Sequence, residues 1–162
     1  MPTAAGPAKR KLIDIVNSYK HLLTCVDTYL KQEVEHPEIA AYLGVSLTNY
    51  YTKRRGALRF TYVDVLKILE RFGSSEEIAQ YKEFIEVRDN LFKCLQESPI
   101  PLSQYRRILG LQHYRELARR RDHPDSWKVE DLETVGEYME SIAYCIPWST
   151  EAVIFGFSNP HF

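Results

Sequence analysis

Between Pro37 and Phe72 the chain alternates helix signals and stop signals at intervals so short that only three tightly joined helices satisfy them. Pro37 stands at a first helical position, Ile39, Ala40 and Leu43 recur one turn apart, and Gly44 supplies the left-handed residue that ends a helix. Ser46 is placed to cap a second helix over Leu47 to Arg55, because its hydroxyl can accept from a backbone N–H two or three residues on. Gly56 then stops it. Thr61 and Asp64 form a capping box for a third helix, whose buried stripe is Tyr62, Val65, Leu66, Ile68 and Leu69. The second helix is thereby presented outward.

The run Ile39-Ala40-Ala41-Tyr42-Leu43-Gly44-Val45-Ser46 resembles the helix-turn-helix of the phage Cro and repressor proteins and the xenobiotic-response-element-type regulators. In that family a helix of the form Leu-Ala-x-x-Leu-Gly-Val-Ser leads into the recognition helix. Gly56 and Thr61 also fall at the family's spacing. The resemblance covers residues 37–72, about a quarter of the chain, with the helix-turn-helix at 37–56. It departs from the family in two places: Lys53 stands where an apolar or aromatic anchor is usual, and the usual Gln near the start of the recognition helix is absent.

The resemblance implies a double-stranded DNA partner and a transcriptional regulator. Ser46 and the backbone N–H groups after it can meet a phosphate at a helix N-terminus. Leu47, Thr48, Asn49, Tyr51 and Thr52 lie near the exposed start of the helix, where Asn can pair with adenine and apolar groups can meet a thymine methyl. Tyr51 has an alternative, to pack against a neighbour. Tyr50 reads as the core-facing aromatic, and Lys53, Arg54, Arg55 and Arg59 suit backbone phosphates.

The formal net charge of −1 conceals a segregation. Residues 47–59 hold four bases and no acid, and residues 104–121 hold Arg106, Arg107, Arg115, Arg119, Arg120 and Arg121 against Glu116 alone. The rest of the chain keeps 11 bases and 21 acids. Such a division suits a polyanion, and Arg115, Arg119, Arg120 and Arg121 join the expected DNA-binding set. An ordinary solvated charge run is the alternative for either cluster.

The expected fold is an all-α multi-helix bundle with an irregular apolar C-terminal tail. A long amphipathic helix runs from Leu12 to about Glu33, and Ser74-x-x-Glu77 opens another that reaches about Gln96. Ser98-Pro99-Ile100-Pro101 separates a helical domain at 10–97 from a second helical unit at 98–162. Beyond the break the chain repeats itself. Leu109-Gly110-Leu111 aligned on Leu43-Gly44-Val45 brings Arg119-Arg120-Arg121 onto Lys53-Arg54-Arg55, and one inserted residue then brings Trp127 onto Phe60 and Asp131 onto Asp64. Arg106 stands at the position of Ala40, where helices cross closely, and Asp122 at that of Gly56. The second unit is thus either a degenerate copy or an ordinary helical pair with a basic face.

The tail from Ser141 carries Trp148, Val153, Ile154, Phe155 and Phe157 without helical period. It either packs on its own core or pairs Ala152 to Phe157 with the same strand of a second subunit, making a homodimer. Cys25, Cys94 and Cys145 are odd in number and set in apolar surroundings, as reduced core residues are. With no apolar leader and no membrane-length run, a cytoplasmic protein away from membranes is expected.

His113-x-x-Glu116 with His123 and Asp125 matches no zinc spacing, the seven Gly form no phosphate loop, and no nucleophile motif is present. Neither a metal, a cofactor nor an enzyme is implied. The rival to DNA binding is a protein-interaction adaptor that keeps the helix-turn-helix fold without binding DNA.

Overall fold

The computed structural model describes residues 10–32, 35–56 and 60–142. Those residues form eight α-helices and a 3-10 turn, with no strand among them: α1 (Leu12–Lys31), α2 (His36–Leu43), α3 (Leu47–Arg54), α4 (Tyr62–Phe72), α5 (Ser75–Glu97), α6 (Leu102–Ile108), α7 (Tyr114–Asp122), the 3-10 turn Pro124–Ser126 and α8 (Val129–Ile142). The all-α expectation holds. Ser141 and Ile142, read as the start of the tail, close α8, and Arg59, Cys145 and the tail from residue 143 lie outside the described residues.

By compactness the chain divides inside its two long helices rather than at the Ser98 to Pro101 break. One unit is Ser18–Lys82. The other takes the first turns of α1 together with the chain from Glu83 onward.

In the first unit the capping signals work as their chemistry dictates. Gly44 adopts φ 72°, its N–H donates to Ala41 O and the N–H of Val45 donates to Ala40 O, so the last carbonyls of α2 are satisfied. Ser46 Oγ accepts from the Asn49 N–H at 3.2 Å and caps α3, which begins at the next residue. Thr61 and Asp64 exchange side-chain and backbone hydrogen bonds at the start of α4. Ile39, Ala40, Leu43, Tyr50, Val65, Ile68 and Leu69 are buried. Tyr19 of α1 sits 6.0 Å from the ring of Tyr62 and 6.2 Å from that of Tyr81, and Tyr81 donates to Tyr62 O.

The second unit uses the same devices. Gly110 takes φ 67°, its N–H donates to Arg107 O and that of Leu111 donates to Arg106 O. Tyr105, Leu117, Trp127, Leu132, Val135 and Met139 are buried. The Tyr105 hydroxyl is paired with Ser98 Oγ at 2.9 Å, and burial above all pushes its pKa up to about 12, so it stays protonated. At Gly136, in mid-helix, a Cβ would come within 3.2 Å of the Ile13 backbone nitrogen, which is why the position excludes a side chain.

The sequence alignment of the two segments needs one correction of register. His113 takes the position before α7 that Ser46 takes before α3, so the extra residue falls in the turn, Leu111-Gln112-His113 against Val45-Ser46, and not after the basic helix. Arg120, rather than Arg119, then corresponds to Lys53. Arg106 donates to Gln112 O at 2.7 Å, so the bulky residue at the crossing position holds the lengthened turn. Val16, Tyr19, Leu22, Val26 and Leu30 are buried in α1 at the same spacing as Tyr81, Phe84, Val87, Leu91 and Leu95 in α5.

Candidate nucleic-acid interface

The eight residues of α3 divide by helical period into an inward and an outward face. Tyr50 is fully buried, and Lys53, one turn on, follows it inward. Lys53 is therefore not a solvent-facing cation, as the sequence suggested. It donates to Asp64 Oδ2, with side chains 14% and 9% exposed, and its ammonium lies 6.0 Å from the centroid of the Phe60 ring. A lysine can take this inward position because its stem packs and its charge finds the capping-box carboxylate of α4.

Burial raises the pKa of Asp64, but the hydrogen bonds from Lys53 and from Thr61 outweigh it and the net shift is downward. The unfolded chain thus takes up this proton first as pH falls. The stabilisation is complete above the unfolded value of about 4 and is lost as pH drops through the lowered folded value. Urea unfolding from pH 7 to pH 3 should show an acid-side loss of stability that is smaller in Asp64→Asn. An identical acid slope in the variant would show that the pair carries none of it.

The outward face is different in kind. Leu47, Thr48 and Asn49 are exposed, and among the described residues the Asn49 side-chain amide has no partner. Ser46 Oγ accepts its cap bond with its own hydroxyl hydrogen still able to donate. Tyr51 packs against neighbouring rings, meeting Tyr50 edge-on at 5.5 Å and His36 at 5.9 Å, and remains 38% exposed. Thr52 is half-buried and turns its hydroxyl back to Thr48 O at 2.9 Å. Arg54 is also half-buried, over the Tyr50 ring and 3.5 Å from His36 Nε2, whereas Arg55 is exposed. Between Glu38 and Asp64 the sequence holds no acid, and Asp64 is neutralised by Lys53.

No protein-family model, curated protein or solved structure matches the chain. The reading of this face rests on its own geometry.

In the second basic cluster three of six arginines are engaged. Arg120 donates through Nε and Nη2 to Asp131 Oδ2, both at 3.0 Å, with side chains 11% and 13% exposed, and lies 5.4 Å over the Trp127 ring. Arg121 pairs with Asp122 and lies over Phe92, and Arg106 holds the turn. Arg120, like Lys53, sits inward where the sequence put it on a phosphate. Arg115 and Arg119 are exposed without a partner among the described residues, and so is Arg107, which the sequence reading counted as charge but gave no role. Its signal was available, since it faces away from the buried Tyr105 on α6.

The His113 and Glu116 pair serves the backbone: the carboxylate accepts from the His113 N–H at 2.9 Å and opens α7. Among the described residues no group of three or more His, Cys, Asp or Glu could hold a metal ion, and no helix is long and apolar enough to cross a membrane.

Proposed function

We propose that the chain is a sequence-specific double-stranded DNA-binding protein, a transcriptional regulator in which α2 and α3 form a Cro/repressor-like helix-turn-helix. The observation that carries this reading is the outward face of α3. It offers an unpartnered Asn49 amide, the methyl-bearing Leu47 and Thr48, and a capped N-terminus, beside Arg54 and Arg55 and with no uncompensated acid on the segment between Glu38 and Asp64. A duplex needs those features together: donors and apolar groups for base edges, cations for phosphates, and low negative charge around both. The recurrence of glycine turn, inward cation, aromatic and capping carboxylate in α6 to α8 supports a second proposal, that α5 to α8 is a tandem copy of α1 to α4.

Selection of bound sequences from random duplexes, followed by titration of the chosen site and a scrambled one, tests the reading. Asn49→Ala should cost about 1–3 kcal/mol on the chosen site and little on the scrambled one, since a base contact carries sequence information. An adaptor would instead show no DNA affinity even at low salt, where electrostatic binding is strongest.

A further inference from the structure

We propose that the outward surface of α6 and α7 is a second DNA-contacting site, in which Arg107, Arg115 and Arg119 grip duplex phosphates without reading sequence. The inference rests on the reading of α3 above and deepens it by dividing the work between the two basic segments.

The two segments share their inward positions and differ at their outward ones. Inward, Leu117 is buried like Tyr50, Arg120 is paired with Asp131 as Lys53 is with Asp64, and Trp127 underlies the cation as Phe60 does. Outward, the register places Arg115 at the position of Thr48 and Arg119 at that of Thr52. Glu116 replaces Asn49, but its carboxylate is turned back onto the His113 N–H and does not project as a reader. The side chains suited to base edges are thus exchanged for guanidinium groups on a retained scaffold.

Charge then selects the occupant. Arg115 and Arg119 are one turn apart on an exposed face, a like-charge spacing that weakens a helix unless an anion lies between them. The nearest acid toward the C-terminus, Asp122, is taken by Arg121. Planar guanidinium forks match phosphate oxygens two at a time, and a duplex offers phosphates in closely spaced rows. Tyr114, 51% exposed at the start of α7, adds a hydroxyl donor of the kind that phosphate contacts use.

The test uses the full chain and two labelled duplexes, one carrying the selected site and one scrambled, titrated across salt concentrations. Arg115→Gln with Arg119→Gln should lower the salt slope by about two on both duplexes, and Arg107→Gln by about one, with the affinity ratio between duplexes unchanged. Arg115→Lys with Arg119→Lys keeps the charge and should keep the slope, which separates charge from folding. Unchanged slopes in the Gln variants, with Asn49→Ala still altering the ratio, would overturn the second site and leave the α3 reading standing. A lowered slope with no discrimination between duplexes and a silent Asn49→Ala would uphold the second site and overturn the α3 reading. If the Gln variants bind both duplexes as the parent does but lose affinity for a polyglutamate probe, the surface takes an acidic protein, and the proposal fails.

Discussion

Trp127→Ala should lower the stability of the chain by about 3–5 kcal/mol, the range for truncating a fully buried large aromatic side chain. Trp127 is 1% exposed and is among the largest side chains completely enclosed by the protein. Its removal opens a cavity in the core, and it also takes away the ring on which the Arg120 guanidinium lies. Phe60→Ala makes the informative comparison, because Phe60 holds the same place beneath Lys53 but is only half-buried. It should cost about 1–2 kcal/mol, in proportion to the smaller apolar area withdrawn from water. Urea unfolding followed by helical circular dichroism measures both. A loss at Trp127 no greater than that at Phe60 would show that the surrounding core can collapse into the space, and that the ring does not organise this unit.

The helices were legible wherever a local signal decides the outcome. Ser46, Thr61 and Ser74 each accept the predicted backbone N–H, and Gly44 takes the left-handed conformation that its position requires. These signals act within four residues, so a single sequence carries them in full. The direction of a charged side chain was not legible at Lys53 and Arg120. Whether a cation faces water or turns inward depends on a carboxylate in the next helix, eleven residues on in both cases, and on an aromatic ring that roofs the pair. A clue existed. Asp64 and Asp131 follow their cations at the same interval of eleven residues, each at a helix start beyond an aromatic residue. The register between the two basic segments was not legible for a related reason. Gly110 and the buried side chains fix the helices, but only the placement of His113 ahead of α7 shows that the added residue belongs to the turn.

The inward pairs lead to an outcome opposite to the one expected of exposed phosphate contacts. Arg120→Ala should cost about 3–5 kcal/mol, because it takes two charged hydrogen bonds from the Asp131 carboxylate, leaves it the Lys128 N–H at 13% exposure, and uncovers Trp127. Lys53→Ala should cost somewhat less, about 2–4 kcal/mol, since Asp64 loses one charged hydrogen bond where Asp131 loses two, and it too keeps its bond from a backbone N–H, that of Thr61. A neutral exchange separates stability from DNA contact. Lys53 and Asp64 together carry no net charge, so Lys53→Met combined with Asp64→Asn leaves the field around α3 as it was. The amide of Asn can still accept from Thr61. This double variant should recover much of the stability that Lys53→Ala loses, and its salt slope on DNA should equal that of the parent protein, whereas removing a true phosphate contact lowers the slope by about one. A slope reduced by one in the double variant, with stability intact, would mean that Lys53 leaves Asp64 to meet a phosphate when DNA binds, and the division of α3 into an anchoring face and a reading face would have to be redrawn.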